Sequence, residues 1–212
     1  MSQTFFVPLE DRPIQRLLRL AIGLFAYGVS LALLVRANLG LDPWDVFHQG
    51  VAHSVHRSLG TIVIATSVVV LLGWIPLRQW PGVGTLANAV AVGVFVDLAL
   101  GWLPSQHHLA ARIGFLIAGI VGNALATGLY IGAGLGPGPR DGLMTGLAAH
   151  GVSIRIARTC IEVTVLVIGA ILGGTFGIGT VLYAVSIGPL VHILLPRLAI
   201  RAPNHKPRKR LG

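Results

Sequence analysis

The feature that most constrains this chain is a series of long apolar runs, separated by short breaks rich in Pro, Gly, Arg and His. Six runs are candidates for membrane-spanning helices: 17–35, 60–77, 83–103, 113–133, 158–174 and 177–195. A spanning helix needs about 20 predominantly apolar residues. Only 11% of the residues are charged, whereas soluble domains contain about 25%. The sequence therefore predicts an all-α, polytopic membrane protein with about six transmembrane helices.

The Lys and Arg residues are distributed unevenly between the breaks. If the N-terminus is cytoplasmic, 13 of the 16 Lys and Arg residues face the cytoplasm, and the outer side keeps Arg36, Arg57 and Arg112. Cytoplasmic segments of membrane proteins carry such an excess. We therefore expect a protein of the inner membrane with both termini in the cytoplasm, which six crossings would satisfy.

This orientation divides the chain into three parts. A cytoplasmic N-terminal segment covers 1–16, a transmembrane domain covers 17–196, and a basic cytoplasmic tail covers 197–212. The tail includes HKPRKR and has no aromatic residue. A short basic segment next to a membrane is attracted to anionic lipid, so we expect lipid contact there and no binding of nucleic acid.

The transmembrane domain contains an internal repeat. At an offset of 96 residues, LGLDPWD (39–45) matches LGPGPRD (135–141) in Leu, Gly, Pro and Asp, and at an offset of 95, PGVGT (81–85) matches FGIGT (176–180). The two repeats cover about 17–103 and about 113–196. Three crossings in each repeat would turn the second one upside down, the inverted arrangement found in many transporters. The alternative is a duplication that merely doubled a stable helical bundle.

Each LGxxPxD motif has the features of a helix start. Pro43 and Pro139 suit the first position of a helix, with Asp42 as the cap in the first motif and Gly138 in the second. The sequence therefore predicts short helices over 43–55 and 139–151, which are too short to span a membrane. They either lie in the membrane interface or enter the bilayer as broken or re-entrant helices.

The starts of these short helices suggest a binding site. Helix N-termini carry partial positive charge and free N–H groups, which suit an anionic ligand. Asp45 and Asp141 lie in the first turns, so they could instead satisfy those N–H groups themselves. Arg140 in the second motif replaces Trp44 in the first. Because Arg can bind a carboxylate or phosphate through two N–H groups, this difference is where we expect specificity.

Further polar residues interrupt the apolar runs. Glu162 follows Arg158 by one helical turn, a spacing that allows an ion pair. It is a candidate for an ion- or proton-coupled site, or else a structural partner of the arginine. Thr85 and Thr180, in the repeated GxGT turns, are expected to cap the following helices. The candidate substrate-binding residues are Trp44, Asp45, Arg140, Asp141 and Glu162.

The sequence offers no support for metal or catalytic chemistry. His48, His53 and His56 are spaced by five and three residues, which does not match an ordered zinc signature. We find no Ser-His-Asp order, no HExxH motif and no paired catalytic carboxylates. We therefore expect no metal, no cofactor and no enzymatic activity.

Together, ANLGLDPWDVF, PGVGT, GLGPGPRDGLM and GGTFGIGT resemble the bacterial YczE/YyaS/YitT group of integral membrane proteins. The resemblance covers about residues 15–196. It implies a small multi-pass inner-membrane protein, and it brings no catalytic residues with it.

Two functions follow as hypotheses. The first is a small transporter-like permease for an unidentified small or anionic ligand, with a central site built from the two LGxxPxD motifs. The second is a non-catalytic scaffold or regulator that recruits a cytoplasmic partner through a loop over 135–158 or through the basic tail. Gly169, Gly173 and Gly174 would allow close packing within or between chains, so a homo-oligomer stays open.

Overall fold

The computed structural model describes residues 12–200. Within that range the chain forms eight α-helices and no strand. They are α1 (Pro13–Ala37), α2 (Pro43–Val55), α3 (Leu59–Trp74), α4 (Val83–Trp102), α5 (Leu109–Gly132), α6 (Pro139–Ala149), α7 (Ile154–Ile171) and α8 (Ile178–Leu198). Each predicted apolar run falls on one of the longer helices. The short helix predicted over 43–55 is confirmed as α2, and the one predicted over 139–151 ends earlier, at Ala149. The basic tail beyond residue 200 lies outside the described residues.

Several helices are suited to crossing a membrane. Among residues 12–200, α1, α4, α5 and α8 are each long and apolar enough, and α2 with α3 qualifies as a fifth span bent by 114°. The helix α7 is shorter and carries Arg155, Arg158 and Glu162, so the count of six spans stays a prediction.

The surface is also that of a membrane protein. Large apolar side chains are exposed along the helices, and Trp80 and Trp102 lie exposed at the two ends of α4. Trp is enriched at both interfaces of a bilayer. The protein is therefore a multi-pass membrane protein.

The centre of the bundle is an antiparallel pair, α1 and α5. Gly23 of α1 lies against Tyr130 of α5, and Gly119 of α5 lies against Leu34 of α1. Residues 23 and 119, and 34 and 130, are both 96 positions apart, so the same contact is made twice in opposite directions. Glycines at such a contact let the two backbones approach closely. The helix α4 packs against α1, and α8 packs against α5.

Two arginines also make matching contacts in opposite directions, one at each end of the pair α1 and α5. The fully buried Arg16 donates from Nη1 to the Ala133 carbonyl at 2.8 Å, and Arg112 donates from Nε to the Ala37 carbonyl at 2.8 Å. The last carbonyls of a helix have no intrahelical partner. Each of these helices therefore has its C-terminal end stabilised by an arginine of the other half.

The two LGxxPxD motifs pack against the GxGT turns of the opposite halves. Gly179 N–H donates to the Leu39 carbonyl and Gly84 N–H donates to the Leu135 carbonyl, both at 2.8 Å. Within each turn a threonine side chain accepts the N–H of the cap residue, as predicted: Thr85 from Gly82 and Thr180 from Gly177, both at 3.3 Å.

The antiparallel arrangement gives the bundle two distinct ends. The start of α1 and the ends of α5 and α8 lie together, because the Arg19 guanidinium contacts the Leu198 carbonyl and Ile200 N–H donates to the Gly132 carbonyl. We call this the Arg-rich end; its arginines are Arg12, Arg16, Arg19, Arg78, Arg155, Arg158 and Arg197. The opposite end holds Arg36, Arg57 and Arg112.

Candidate functional site

The first residues of α2 and α6 meet inside the bundle. Arg140 Nη1 lies 3.5 Å from Asp42 Oδ2, an ion pair between the second residue of α6 and the N-cap of α2. Arg140 Nη2 also donates to the Tyr27 hydroxyl at 2.6 Å, near the middle of α1. The two short helices therefore start next to each other inside the bundle.

Local sequence explains why both helices begin at this level. Pro43 and Pro139 each occupy the first helical position, where a missing N–H costs nothing and the fixed φ suits the helix. The preceding Gly40 and Gly136 have φ of 123° and 124°, a conformation in which glycine is the favoured residue. These turns redirect the chain from the end of a long helix back into the bundle.

Trp44 lies beside the ion pair. The Arg140 Cζ atom is 5.8 Å from the centroid of the Trp44 ring, within the range of a cation–π contact. Trp44 and Arg140, which occupy the same place in the two motifs, are therefore in contact with each other.

A cavity of about 440 Å³ extends from this pair towards the Arg-rich end. Its polar lining residues include Tyr27, Asp42, Trp44, Asn123, Tyr130, Arg140, Asp141, Arg158, Glu162, Tyr183 and His192. The Arg158 and Glu162 side chains are 58% and 30% exposed and form an ion pair at 2.8 Å. They stand at the mouth of the cavity, and the prediction of their ion pair is confirmed.

Four of the five candidate binding residues line this cavity: Trp44, Arg140, Asp141 and Glu162. Asp141 Oδ2 accepts a hydrogen bond from the Tyr130 hydroxyl at 3.2 Å.

Asp45 does not line the larger cavity. Its Oδ1 is 2.9 Å from Nδ1 of His48 on the same helix, and it lines a smaller neighbouring cavity. Asp45 is the third residue of α2, so its side chain turns to the helix face away from the larger cavity. Within residues 12–200, no group of three or more His, Cys, Asp or Glu side chains is placed to hold a metal ion.

Sequence reasoning missed the central partner of Arg140. Asp42 was recognised as a helix cap, and its side chain does accept the Asp45 N–H at 2.8 Å, but its pairing with Arg140 had no local signal. Asn123 of α5 accepts a hydrogen bond from the Tyr183 hydroxyl of α8 at 3.2 Å.

Three buried polar atoms near the site lack a hydrogen-bond partner: Trp44 Nε1, Asn123 Nδ2 and Asp45 Oδ2. Trp44 and Asn123 both line the larger cavity, and each is at least nine-tenths buried. A buried N–H without an acceptor is costly. Two residues of the cavity wall therefore each carry a buried N–H donor without a partner.

The two equivalent helix pairs around the site differ in packing. The helices α3 and α4 are in close contact through Gly60 and Gly93, and Asp97 accepts from the Ser58 hydroxyl at 2.6 Å and from Gly60 N–H at 2.8 Å. The equivalent helices α7 and α8 are barely in contact. Gly188, the counterpart of Gly93, has no atom within 4 Å of the position of an added Cβ. The cavity opens beside this gap.

The sequence profile of a family of unknown function, DUF6198, matches residues 14–196. The chain belongs to DUF6198. A relative from Haemophilus influenzae, named an uncharacterized protein, is 37% identical over 186 residues, which are 87% of this chain and 85% of the relative.

Two relatives from Bacillus subtilis carry names that the sequence suggested. The uncharacterized membrane protein YczE is 34% identical over 82% of this chain and 81% of its own length, and the uncharacterized protein YyaS is 28% identical over 82% and 90%. The resemblance of this DUF6198 chain to YczE and YyaS is confirmed, and the wider grouping with YitT stays a prediction. No solved structure matches the chain.

Proposed function

We propose that this protein is a small membrane transporter whose substrate binds in the cavity where α2 and α6 begin. The observation that carries the proposal is the meeting of two broken helices in the interior, joined by Asp42 and Arg140 at 3.5 Å. Many transporters place their substrate sites at the interface of two repeats, among discontinuous helices near the bilayer midplane. The expected ligand is small and anionic.

The exchanged contacts between the halves support an inverted repeat. Arg16 and Arg112, Gly23 and Gly119, and the two LGxxPxD motifs make matching contacts in opposite directions. In this arrangement α2 with α3 and α6 with α7 are the bent spans, which gives six crossings and three in each half. The excess of arginine at one end favours an inner-membrane protein with that end, and both termini, in the cytoplasm.

The unequal packing of the equivalent helix pairs supports alternating access. The pair α3 and α4 is closed at the opposite end, whereas α7 and α8 are apart at the Arg-rich end. If each pair can adopt both arrangements, exchanging them would close the cavity on the cytoplasmic side and open it on the outer side. The arrangement described here is then the inward-open state.

Uptake into proteoliposomes tests the proposal. A panel of small carboxylates, amino acids and neutral solutes is offered to the purified protein, and Asp42→Asn and Arg140→Gln are compared with Arg57→Gln as a control. Arg57 is exposed and lies at the opposite end. We expect saturable uptake of at least one solute that both site variants reduce by about tenfold or more. Uptake that is equal in all four proteins would contradict the proposal.

The scaffold hypothesis has less support from the described residues. Most of the expected loop over 135–158 is helix α6 and its buried start, and Gly142 packs against the ring of Trp74. A partner would have little free chain to bind there. Deleting 201–212 separates the two functions, because a transporter keeps its uptake whereas a scaffold loses its partner.

A further inference from the structure

The repeated helices differ at their caps. In α2 the Asp42 carboxylate accepts the N–H of Asp45 at 2.8 Å. In α6 the equivalent residue is Gly138, and no side chain caps the helix. The first N–H groups of a helix have no intrahelical acceptor, and Gly138, Pro139, Arg140 and Asp141 all line the larger cavity. The start of α6 therefore lacks the carboxylate that the start of α2 possesses.

Two unpartnered side-chain donors are a second, independent indication of a ligand at the start of α6. Across the bundle, Asp42 at the start of α2 pairs with Arg140 of the other half. The counterpart of Arg140 is Trp44, and its buried Nε1 has no hydrogen-bond partner. Nδ2 of Asn123, on the same cavity wall, is also unpartnered. By the repeat relationship, a carboxylate at the start of α6 would face Trp44 as Asp42 faces Arg140.

We infer that the start of α6 is a carboxylate-binding subsite, in which the ligand supplies the cap that Gly138 cannot. This inference rests on the proposed function and names its substrate class. The ligand carboxylate accepts from the first N–H groups of α6, from Trp44 Nε1 and from Asn123 Nδ2, with the Arg140 guanidinium nearby. Helix N-termini and charge-assisted hydrogen bonds favour a carboxylate over its neutral amide.

The remaining lining favours a single negative charge on the ligand. The cavity is lined by three carboxylates and two guanidinium groups: Asp42, Asp141, Glu162, Arg140 and Arg158. Because the carboxylates outnumber the guanidinium groups, only the N–H groups and the partial positive charge at the start of α6 favour an anion there. A second negative charge on the ligand is repelled by the carboxylates, so dicarboxylates and inorganic phosphate are disfavoured. Met144, Ile187, Val191 and Leu195 also line the cavity and suit an apolar body. The substrate class is therefore a small monocarboxylate.

The test is equilibrium binding to the full-length protein in lipid nanodiscs. The probes are butyrate and hexanoate, with their amides, succinate and inorganic phosphate as comparisons. We expect saturable binding of the monocarboxylates that is about tenfold or more tighter than binding of the amides, since one charge-assisted hydrogen bond contributes about 1.5–3 kcal/mol.

The decisive variant is Gly138→Asp, which gives α6 the cap that α2 has. The backbone at Gly138 has φ −64° and ψ 158°, which any residue can adopt. An added Cβ there meets the side-chain ends of Tyr130 at 3.2 Å and Asp141 at 3.3 Å. We expect the new carboxylate to occupy the subsite and to weaken hexanoate binding by about tenfold or more. Gly138→Ala adds the Cβ without a carboxylate and should cause a smaller loss. Gly101→Ala, with no atom within 4 Å of an added Cβ, is the control.

Each other outcome overturns the inference. Failure of the wild-type protein to bind either monocarboxylate, equal binding of acids and amides, or full hexanoate binding by Gly138→Asp would exclude the subsite. Tighter binding of succinate or phosphate would assign the subsite to dianions instead. The subsite and the proposed function can fail separately. Uptake of an uncharged solute would still support a transporter without this subsite. Carboxylate binding without any uptake would support the subsite and contradict the transporter.

Discussion

At the scale of single residues, Gly40 and Gly136 combine a positive φ with a close contact to the opposite half. Their φ angles of 123° and 124° belong to a region that L side chains rarely adopt. An added Cβ would lie 2.6 Å from the hydroxyl of Thr180 or of Thr85, respectively. Strain of this kind costs about 1–3 kcal/mol.

We therefore expect Gly40→Ala and Gly136→Ala each to lower the free energy of unfolding by about 2 kcal/mol or more. Denaturation in mixed micelles measures it. Gly114→Ala is the control, because its Cβ would meet no atom within 4 Å and alanine stabilises a helix interior by about 0.5–1 kcal/mol relative to glycine. Equal stability of the three variants would show that the two turns are not strained by a side chain.

The ion pair between Asp42 and Arg140 should be strongly coupled. Their side chains are 4% and 27% exposed, so removing one partner leaves a poorly solvated charge. We expect Asp42→Asn and Arg140→Gln each to cost about 3 kcal/mol, and the double variant to recover about 1–2 kcal/mol of the summed loss.

A double-mutant cycle on unfolding in micelles measures this coupling. The matched control is the pair Arg158 and Glu162, which is more exposed, and its coupling should stay below about 0.5 kcal/mol. Similar coupling energies for the two pairs would contradict a distinct, interior role for Asp42.

Single residues also show what the sequence could and could not reveal. The Arg158–Glu162 pair was predictable because one helical turn separates the two residues. The partnership of Asp42 with Arg140 was not, because it depends on how two halves of the chain pack. Arg16 and Arg112 did carry a signal, since they match at the same offset of 96 as the motifs, but they were counted only as surface charges.

At the scale of helices, local signals were sufficient for α2 and α6. Proline at the first position, an Asp cap and a short apolar stretch predicted α2 to the residue. The spans were harder, because α7 combines an apolar face with Arg155, Arg158 and Glu162. That the first turns of α2 and α6 meet could not be deduced, because periodicity describes one helix at a time.

Substitution by valine should have different effects on stability at two equivalent glycines. Gly93 is packed against Ile64 and Gly60, with Ile64 Cγ1 2.6 Å from an added Cβ, whereas Gly188 faces the gap between α7 and α8. We expect Gly93→Val to lower the free energy of unfolding by about 1–3 kcal/mol, and Gly188→Val to change it by less than about 0.5 kcal/mol.

Gly188→Val should nevertheless abolish uptake, since the proposed alternating access requires α8 to close on α7. Hexanoate binding and proteoliposome uptake, measured on the same preparation, check this. Normal uptake by Gly188→Val would mean that α7 and α8 do not close in the way that α3 and α4 do.

At the scale of the whole molecule, the division of arginines between the two ends fixes a testable orientation. Cys160 is replaced by Ser, and single cysteines are introduced as His107→Cys at the opposite end and Ser153→Cys at the Arg-rich end, where both positions are exposed. The outer envelope of the cells is permeabilised while the inner membrane is kept intact. A membrane-impermeant maleimide should then label His107→Cys only, and Ser153→Cys should react once the inner membrane is also permeabilised. Labelling of both from one side would contradict the inverted arrangement.

The hydrogen bonds that Arg16 and Arg112 make between α1 and α5 also bear on whether each half of the chain can fold alone. Arg16 stabilises the last turn of α5 and Arg112 stabilises the last turn of α1, so neither half completes its own central helix. In the proposed inverted repeat, a polypeptide that ended after α4 would need a second copy in the reverse orientation to complete the contacts of its central helix. On this proposal we expect the two halves, produced as separate polypeptides, to associate with each other in the bilayer.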